Sequence, residues 1–182
     1  MTEQARDLEA ELACALALQR ATSDMLHLIR AHPGDLTTVL NGILAKAAEL
    51  CDGEAGSITM IEGDLQRFMA SHGPAMAPSL GATVPLPVNV SEVVRFDDFA
   101  TSMRSRPASV EMARVARVRS YASAPLTDDG RVVGSLHMYR HEVRPFRDAE
   151  VAALTSFADQ ASLAIGNARS KRPGLAFTIE PS

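Results

Sequence analysis

The chain of 182 residues has no tryptophan, only two tyrosines and only two cysteines, Cys14 and Cys51. Two cysteines so far apart make neither a disulfide framework nor a CxxC metal-binding knuckle. No apolar run approaches the roughly 20 residues that span a bilayer, so we expect no membrane segment. Acidic residues outnumber basic ones by 22 to 18, and the basic excess typical of nucleic-acid-binding domains is therefore missing.

The composition that is present is typical of a folded domain. Hydrophobic residues make up 46% of the chain and charged residues 22%, which argues against a disordered protein. The first residues, MTEQARDLEAE, lack a basic stretch followed by an apolar core. We therefore expect no secretory leader and a cytoplasmic location. At about 150 residues per domain, the length predicts one domain with an additional segment.

The additional segment is predicted to be a long helix over residues 3–30, which contain strong helix formers and no glycine or proline. Spacings of three and four define a coiled-coil-like seam, made of Ala5, Leu8, Leu12, Ala15, Gln19, Thr22, Leu26 and Ile29. The helix could pack on its own domain or pair with a second copy. We favour a mixture, in which the seam pairs with a second copy in a homodimer and the C-terminal end of the helix packs on its own domain. The chain is thus divided into a signalling and dimerisation helix (1–30), a domain (31–170) and a tail (171–182).

Helices and hairpins alternate in the predicted domain. The predicted elements are a helix at 35–50, strands at 57–61 and 65–71, a short strand at 93–96, a helix from about 105 to 118, strands at 121–126 and 131–141, and a helix at 148–169. Residues 73–90 are predicted to form a loop. Hairpins that alternate with helices predict an α+β fold with one antiparallel sheet.

Three stretches of the chain resemble the GAF domain, a sensor module of bacterial signalling proteins such as sensor kinases and nucleotide cyclases. They are ATSDMLHLIRAHPGDLTTVLNGILAKAAELCDG, EMARVARVRSYASAPLTDDGRVVGSLHMYRHEVRPF and RDAEVAALTSFADQASLAIGNAR. The resemblance implies a GAF-like (PAS/profilin-like) antiparallel sheet flanked by helices, with long N- and C-terminal helices. It also implies a regulatory module that binds a small molecule, and that signals through dimer helices to an output domain or to a partner in trans.

The chain departs from this family pattern in two places. The segment VPLPVNVSEVVRFDDFATSMRS looks too short for the helix and turn that help to line the ligand pocket in such domains. We therefore expect a pocket that is reduced, open or absent. Arg117 stands where relatives often have glycine, so the preceding helix is expected to end without a glycine cap.

Polar side chains at alternate positions of the second hairpin are the candidate ligand-binding residues. Residues two apart on a strand share a face, and the partner strand can add to it. The candidates are Tyr121, Ser123, Ser135, His137 and Tyr139. As a set they would supply neutral donors and acceptors to a polar ligand. The alternative is that they fill space beneath a helix and hydrogen-bond to the protein itself.

Other chemistries have weaker support. His141 shares the predicted face of His137, but a separation of about 13 Å along a strand is too long for one zinc ion. The arginines at 104, 106, 114, 117 and 119 could bind an anion, although a solvated helix face explains them better. Cys51 or Cys14 could serve a GAF-type free methionine sulfoxide reductase, but two ordinary small apolar residues are favoured.

We find no catalytic motif and expect no enzymatic activity, and the residues do not indicate a particular cofactor. A ligand-free module for dimerisation or protein interaction remains the main alternative to the sensor, because the segment that should line the pocket is short. Neither nucleic acid nor a membrane is an expected partner.

Overall fold

The computed structural model describes residues 35–86, 90–102 and 116–171, together with Arg114 and scattered positions between 16 and 32. The helices are α1 (Leu36–Leu50), α2 (Phe99–Ser102) and α3 (Asp148–Lys171). The strands are β1 (Ala55–Glu62), β2 (Leu65–His72), β3 (Thr83–Pro85), β4 (Val94–Phe96), β5 (Ser120–Asp128) and β6 (Arg131–Arg140). Most of the predicted seam, most of the helix predicted at 105–118 and the tail after Lys171 lie outside the described residues.

The strands of the described residues form one antiparallel sheet in the order β3-β2-β1-β6-β5-β4. Both predicted hairpins, β1–β2 and β5–β6, are present, and they join where β1 pairs with β6. The α+β fold with an antiparallel sheet is therefore confirmed. The central position of β1 and β6 brings residues from the two halves of the chain side by side.

Helix α1 begins as its sequence predicts. Asp35 is the N-cap, and its carboxylate accepts a hydrogen bond of 3.0 Å from the backbone N–H of Thr38. The helix ends at Leu50, and Asp52 follows with a left-handed φ of 49°. Its apolar stripe, which includes Leu40, Ile43 and Leu44, is fully buried against the sheet.

The β5–β6 hairpin combines a tight turn with a bulge. Asp129 and Gly130 have φ values of 49° and 75°, as a primed two-residue turn requires. The register shifts between Leu126 and Thr127, and a Cβ on the facing Gly134 would collide with the carbonyl oxygen of Thr59. Glycine at position 134 therefore permits the close approach of β6 to β1.

Helix α3 covers one face of the sheet together with α1. Its buried apolar positions are Ala153, Leu154, Phe157, Ala158, Ala161, Ala164 and Ile165. Ala21 and Met25, from the segment predicted to be the N-terminal helix, are buried in the same core. That end of the segment packs on the domain, while the homodimer stays a prediction.

Several local predictions need correction. The strand predicted at 121–126 continues to Asp128, with the bulge between Leu126 and Thr127 inside it. The predicted loop at 73–90 contains strand β3, where Pro85 is tolerated because β3 is a sheet edge. Position 117 is an arginine rather than a glycine, and Arg117 itself adopts the left-handed conformation, with φ of 54°.

Candidate functional site

The face of the sheet opposite α1 and α3 carries all five predicted site residues. On β6, Leu136 and Met138 point into the helix-covered core, so His137 and its neighbours two positions away point to the other face. Tyr121 of β5 faces Tyr139, and Ser123 faces His137. Together with Ser135 they form what we call the polar face. The five side chains are all buried.

His137 lies at the centre of a hydrogen-bonded chain. Its Nδ1 is 2.9 Å from the hydroxyl of Tyr121, and its Nε2 is 3.0 Å from Oγ1 of Thr59. Thr59 donates its only hydroxyl proton to Oε1 of Gln66, at 2.9 Å. The threonine oxygen must then accept from Nε2–H, which leaves Nδ1 to accept from the tyrosine. One neutral tautomer of His137 therefore completes a hydrogen-bonded chain that joins β1, β2, β5 and β6.

A second contact joins the same strands. The hydroxyls of Tyr139 and Ser57 are 3.0 Å apart, and both side chains are buried. Ser57, Thr59 and Gln66 belong to the polar face but were not among the predicted site residues. The alternation of Ser57 and Thr59 in a predicted strand was the available signal. It could not be used without knowing that β1 pairs with β6.

Aromatic rings surround one side of this network. Tyr121 has its ring centroid 5.1 Å from Phe99, 5.6 Å from Tyr139, 5.8 Å from Phe96 and 5.9 Å from His137. Such separations are those of favourable offset and tilted pairs. The rings therefore fill the space beside β5, where the shortened segment contributes Phe96 and Phe99.

The polar face is electrically neutral at physiological pH. Burial lowers the pKa of His137 to about 4 and raises the pKa of Tyr121 to about 12. Burial likewise raises the pKa of Tyr139 above its ordinary value. In all three cases the uncharged form is favoured. The face offers hydrogen bonds and flat rings rather than a counter-charge.

His141 does not join this face, contrary to the alternation that we extended to it. Strand β6 ends at Arg140. The backbone N–H of His141 donates to Glu54 at 2.6 Å, and its Nδ1 is 3.1 Å from the carbonyl oxygen of Arg117. Within the ranges that the structure describes, no group of three or more His, Cys, Asp or Glu side chains could hold a metal ion.

A charged depression lies at the edge of the sheet beside β4. It has a volume of about 380 Å³ and is lined by Arg95, Phe96, Asp97, Asp98, Thr101 and Ser102. Arg119, from the predicted basic run, reaches Asp98 at 3.4 Å. The hydroxyl of Thr101, opposed by partial burial and helped by Arg119, lowers the pKa of Asp98. Arg104 and Arg106 lie outside the described residues.

Cys51 is buried at the end of α1. Its thiol donates to the carbonyl oxygen of Glu150 at 3.3 Å. Cys14 lies outside the described residues. The environment of Cys51 is that of a packed core residue, as its ordinary apolar character predicts.

No helix of the described residues is long and apolar enough to cross a membrane.

A family model identifies the family of the chain. The family model for the GAF domain matches residues 35–165, so the chain belongs to the GAF domain family. A search of curated proteins finds no significant match.

Solved structures share the fold at low sequence identity. The phycoerythrobilin-bound GAF domain of a cyanobacterial phytochrome is 21% identical with a TM-score of 0.66, over 87% of this chain and 97% of that one. The GAF domain of a phosphoenolpyruvate-protein phosphotransferase from Coxiella burnetii is 18% identical with a TM-score of 0.69, over 86% and 97%. Residues 122 to 287 of a methyl-accepting chemotaxis protein are 22% identical with a TM-score of 0.65, over 84% and 98%.

Proposed function

We propose that the chain is a regulatory sensor module of a bacterial signalling system. In this proposal a small molecule binds against the polar face, and the helices carry the response to an output domain or to a partner protein. The observation that carries the proposal is the buried, neutral and interconnected set of Tyr121, His137 and Tyr139 on the face opposite the helices. Membership of the GAF family supports a signalling role. The similar solved structures, which include domains of a phytochrome and of a chemotaxis protein, support it as well.

The chemistry of the face specifies the class of ligand. Because His137 and the two tyrosines are uncharged, they would contribute little to binding a fully ionised group. Flat rings and hydroxyls suit a planar molecule with its own hydrogen-bonding groups. Such a ligand must displace contacts that already exist, for example the contact between Tyr139 and Ser57. Binding would therefore change the conformation of the face, as a sensor requires.

The same contacts also favour a second candidate, a ligand-free module for dimerisation or protein interaction. The network from Gln66 to Tyr121 satisfies its own donors and acceptors, and aromatic rings occupy the adjacent space. A face that is already satisfied gains less from a ligand than an open pocket would. In this alternative the polar face is a second core.

We propose no enzymatic activity. A thiol-based reductase needs an accessible thiolate close to a resolving thiol. Cys51 is buried and its thiol is directed to the backbone of Glu150, which does not favour this chemistry.

Native mass spectrometry of the full chain, purified without added ligand, tests the sensor proposal together with an absorbance spectrum of the same sample. A dimer that carries additional mass, or a visible absorbance band, is the expected result. A bare dimer would favour the ligand-free module. A bare monomer would contradict the predicted helical seam.

A pair of histidine variants assigns any retained molecule to the polar face. His137→Leu removes two hydrogen bonds from the centre of the network, whereas His141→Leu changes a histidine outside it. We expect the additional mass to be lost in the first variant and retained in the second. Retention in both variants would place the molecule elsewhere.

A further inference from the structure

Arg140 is the residue that connects the polar face to the helices. It follows Tyr139 on β6, so its side chain points to the opposite face of the sheet. It is 1% exposed and is the largest fully buried side chain of the described residues. A buried guanidinium is costly unless every donor has a partner. The partners of Arg140 therefore show what this residue holds in place.

The guanidinium makes four hydrogen bonds and one ion pair. Nε donates to the carbonyl oxygen of Asp52 at 3.0 Å, and Nη2 donates to that of Cys51 at 2.8 Å. Nη1 donates to the carbonyl oxygens of Arg144 and Pro145, at 2.8 and 2.9 Å. Nη2 also lies 3.1 Å from Oε2 of Glu150, with which it forms a buried ion pair. One side chain thus joins the end of α1, the β6–α3 loop and the start of α3.

Glu150 completes this junction from the side of α3. Its carboxylate accepts from the backbone N–H of Arg147 at 2.7 Å, as an acidic residue in the first turn of a helix does in a capping box. Burial opposes ionisation of Glu150, but the hydrogen bonds from Arg147 and Arg140 outweigh it and lower its pKa. The ion pair with Arg140 and the cap of α3 therefore share one carboxylate.

The ring of Phe146 closes the junction. The guanidinium carbon of Arg140 lies 4.0 Å from its centroid, within the range of a cation–π contact. The planar fork of arginine matches this set of acceptors, whereas a lysine ammonium has only three donors. The junction consequently depends on the shape of arginine as well as on its charge.

We propose that Arg140 transmits changes of the polar face to the first turns of α3. A displacement of Tyr139 shifts the adjacent backbone of β6, and Arg140 passes that shift to the capping carboxylate of Glu150. This proposal rests on the proposed function, because it describes how that same face would be read. It does not require the ligand to be known, since a substitution on the polar face can replace ligand binding.

The test measures amide hydrogen exchange along α3 in the full chain. Ser57→Ala removes the partner of the Tyr139 hydroxyl on the polar face. In the presence of Arg140, we expect the amides of Val151 to Leu154 to exchange about fivefold faster, the lower end of typical coupling between sites. Arg140→Lys should abolish this response to Ser57→Ala. If Arg140 had only a structural role, Arg140→Lys would change the baseline exchange rates but would leave the response to Ser57→Ala intact.

Arg131→Lys is the matched control, because it makes the same change on the same strand at an exposed position. The response to Ser57→Ala should persist in it. An unchanged exchange rate in the Ser57→Ala variant would overturn the proposal, and so would an equal acceleration with Arg140 and with Arg140→Lys. Either result leaves ligand retention, measured by mass spectrometry, as an independent test of the sensor.

A reverse experiment keeps the proposal testable if Arg140→Lys does not fold. The chain has no tryptophan, and its two tyrosines both lie on the polar face, so tyrosine emission reports on that face. Coupling is reciprocal, and Glu150→Gln should therefore change the emission of Tyr121 and Tyr139. Glu49→Gln is its control, because Glu49 is exposed on α1 and its carboxylate pairs with Lys46, away from the junction. Unchanged emission in a folded Glu150→Gln variant would overturn the proposal.

Discussion

The two faces of the sheet are built from alternate residues of the same strands, yet they are stabilised by different forces. On one face, Ile58 and Leu136 pack against Phe157 in a core covered by α1 and α3. On the other, Thr59 and His137 exchange hydrogen bonds beside a group of aromatic rings. Both faces exclude water to a similar extent. Burial by itself therefore does not distinguish a structural face from a candidate sensing face.

The difference lies in how each face responds to change. Apolar packing is non-directional, and its free energy follows the area removed from water. A hydrogen-bonded network is directional, so moving one partner affects the others. The helix-covered face is suited to hold the domain together, and the polar face is suited to exist in more than one arrangement. Substitutions on each face should expose this contrast.

The largest effect is expected on the apolar face. Phe157→Ala should lower the free energy of unfolding by about 4 kcal/mol, because it leaves a cavity in a fully buried core. Urea denaturation measures the change. Leu163→Ala on the same helix is the control, since Leu163 is 53% exposed and its loss should cost about 0.5 kcal/mol or less. Equal losses in the two variants would contradict the assignment of this face as the main core.

Acid should destabilise the polar face through His137. The folded protein lowers the pKa of this histidine from 6.5 to about 4, so between these values the unfolded chain binds a proton that the folded chain does not. The free energy of unfolding therefore decreases as the pH falls from 6.5 to 4, by about 3 kcal/mol from this group. Urea denaturation at several pH values measures the slope.

The variant His137→Gln isolates this contribution from the carboxylates that titrate in the same range. It should show a shallower loss of stability between pH 7 and 4 than the unsubstituted protein. His141→Gln should retain the original slope, because His141 lies outside the network. The interpretation fails if the His137→Gln variant keeps the full slope.

The two faces differ in how much of their structure could be predicted from the sequence. The apolar periodicity of α3 and the alternation of His137 and Tyr139 are local patterns, and the helix and the strand that they predict are both present. Thr59 was missed because it is 78 residues from His137, and the pairing of their strands has no local signature. The five candidate residues could thus be placed on one face from local alternation, without the residues of β1 and β2 that complete the hydrogen-bonded network.

Arg140 illustrates a second limit of prediction from sequence. The four hydrogen-bond acceptors of its guanidinium are all backbone carbonyl oxygens, which every residue possesses. No pattern of side chains could therefore indicate its role. The edge strand β3 was missed for a related reason, since Pro85 argues against a strand unless its edge position is already known.

A smaller effect is expected from the pair formed by Tyr139 and Ser57. Tyr139→Phe removes one hydroxyl of a buried contact and should cost about 1 kcal/mol. A double-mutant cycle with Ser57→Ala measures the pairwise part, since the second substitution should cost less once the first hydroxyl has gone. Strict additivity of the two losses would show that these hydroxyls do not stabilise one another, and would weaken the contrast between the faces.

The smallest effect is expected where the hairpin turn meets the end of α3. Arg169 donates to Asp128 at 2.6 Å, and both side chains are partly exposed. Because solvent screens such a pair, Asp128→Asn should cost less than about 1 kcal/mol, and the loss should shrink further at high salt. Urea denaturation at low and high ionic strength measures both quantities. A larger loss that salt does not reduce would mean that this contact anchors α3 as strongly as the buried Arg140–Glu150 pair, and transmission to the helix would then have two comparable routes.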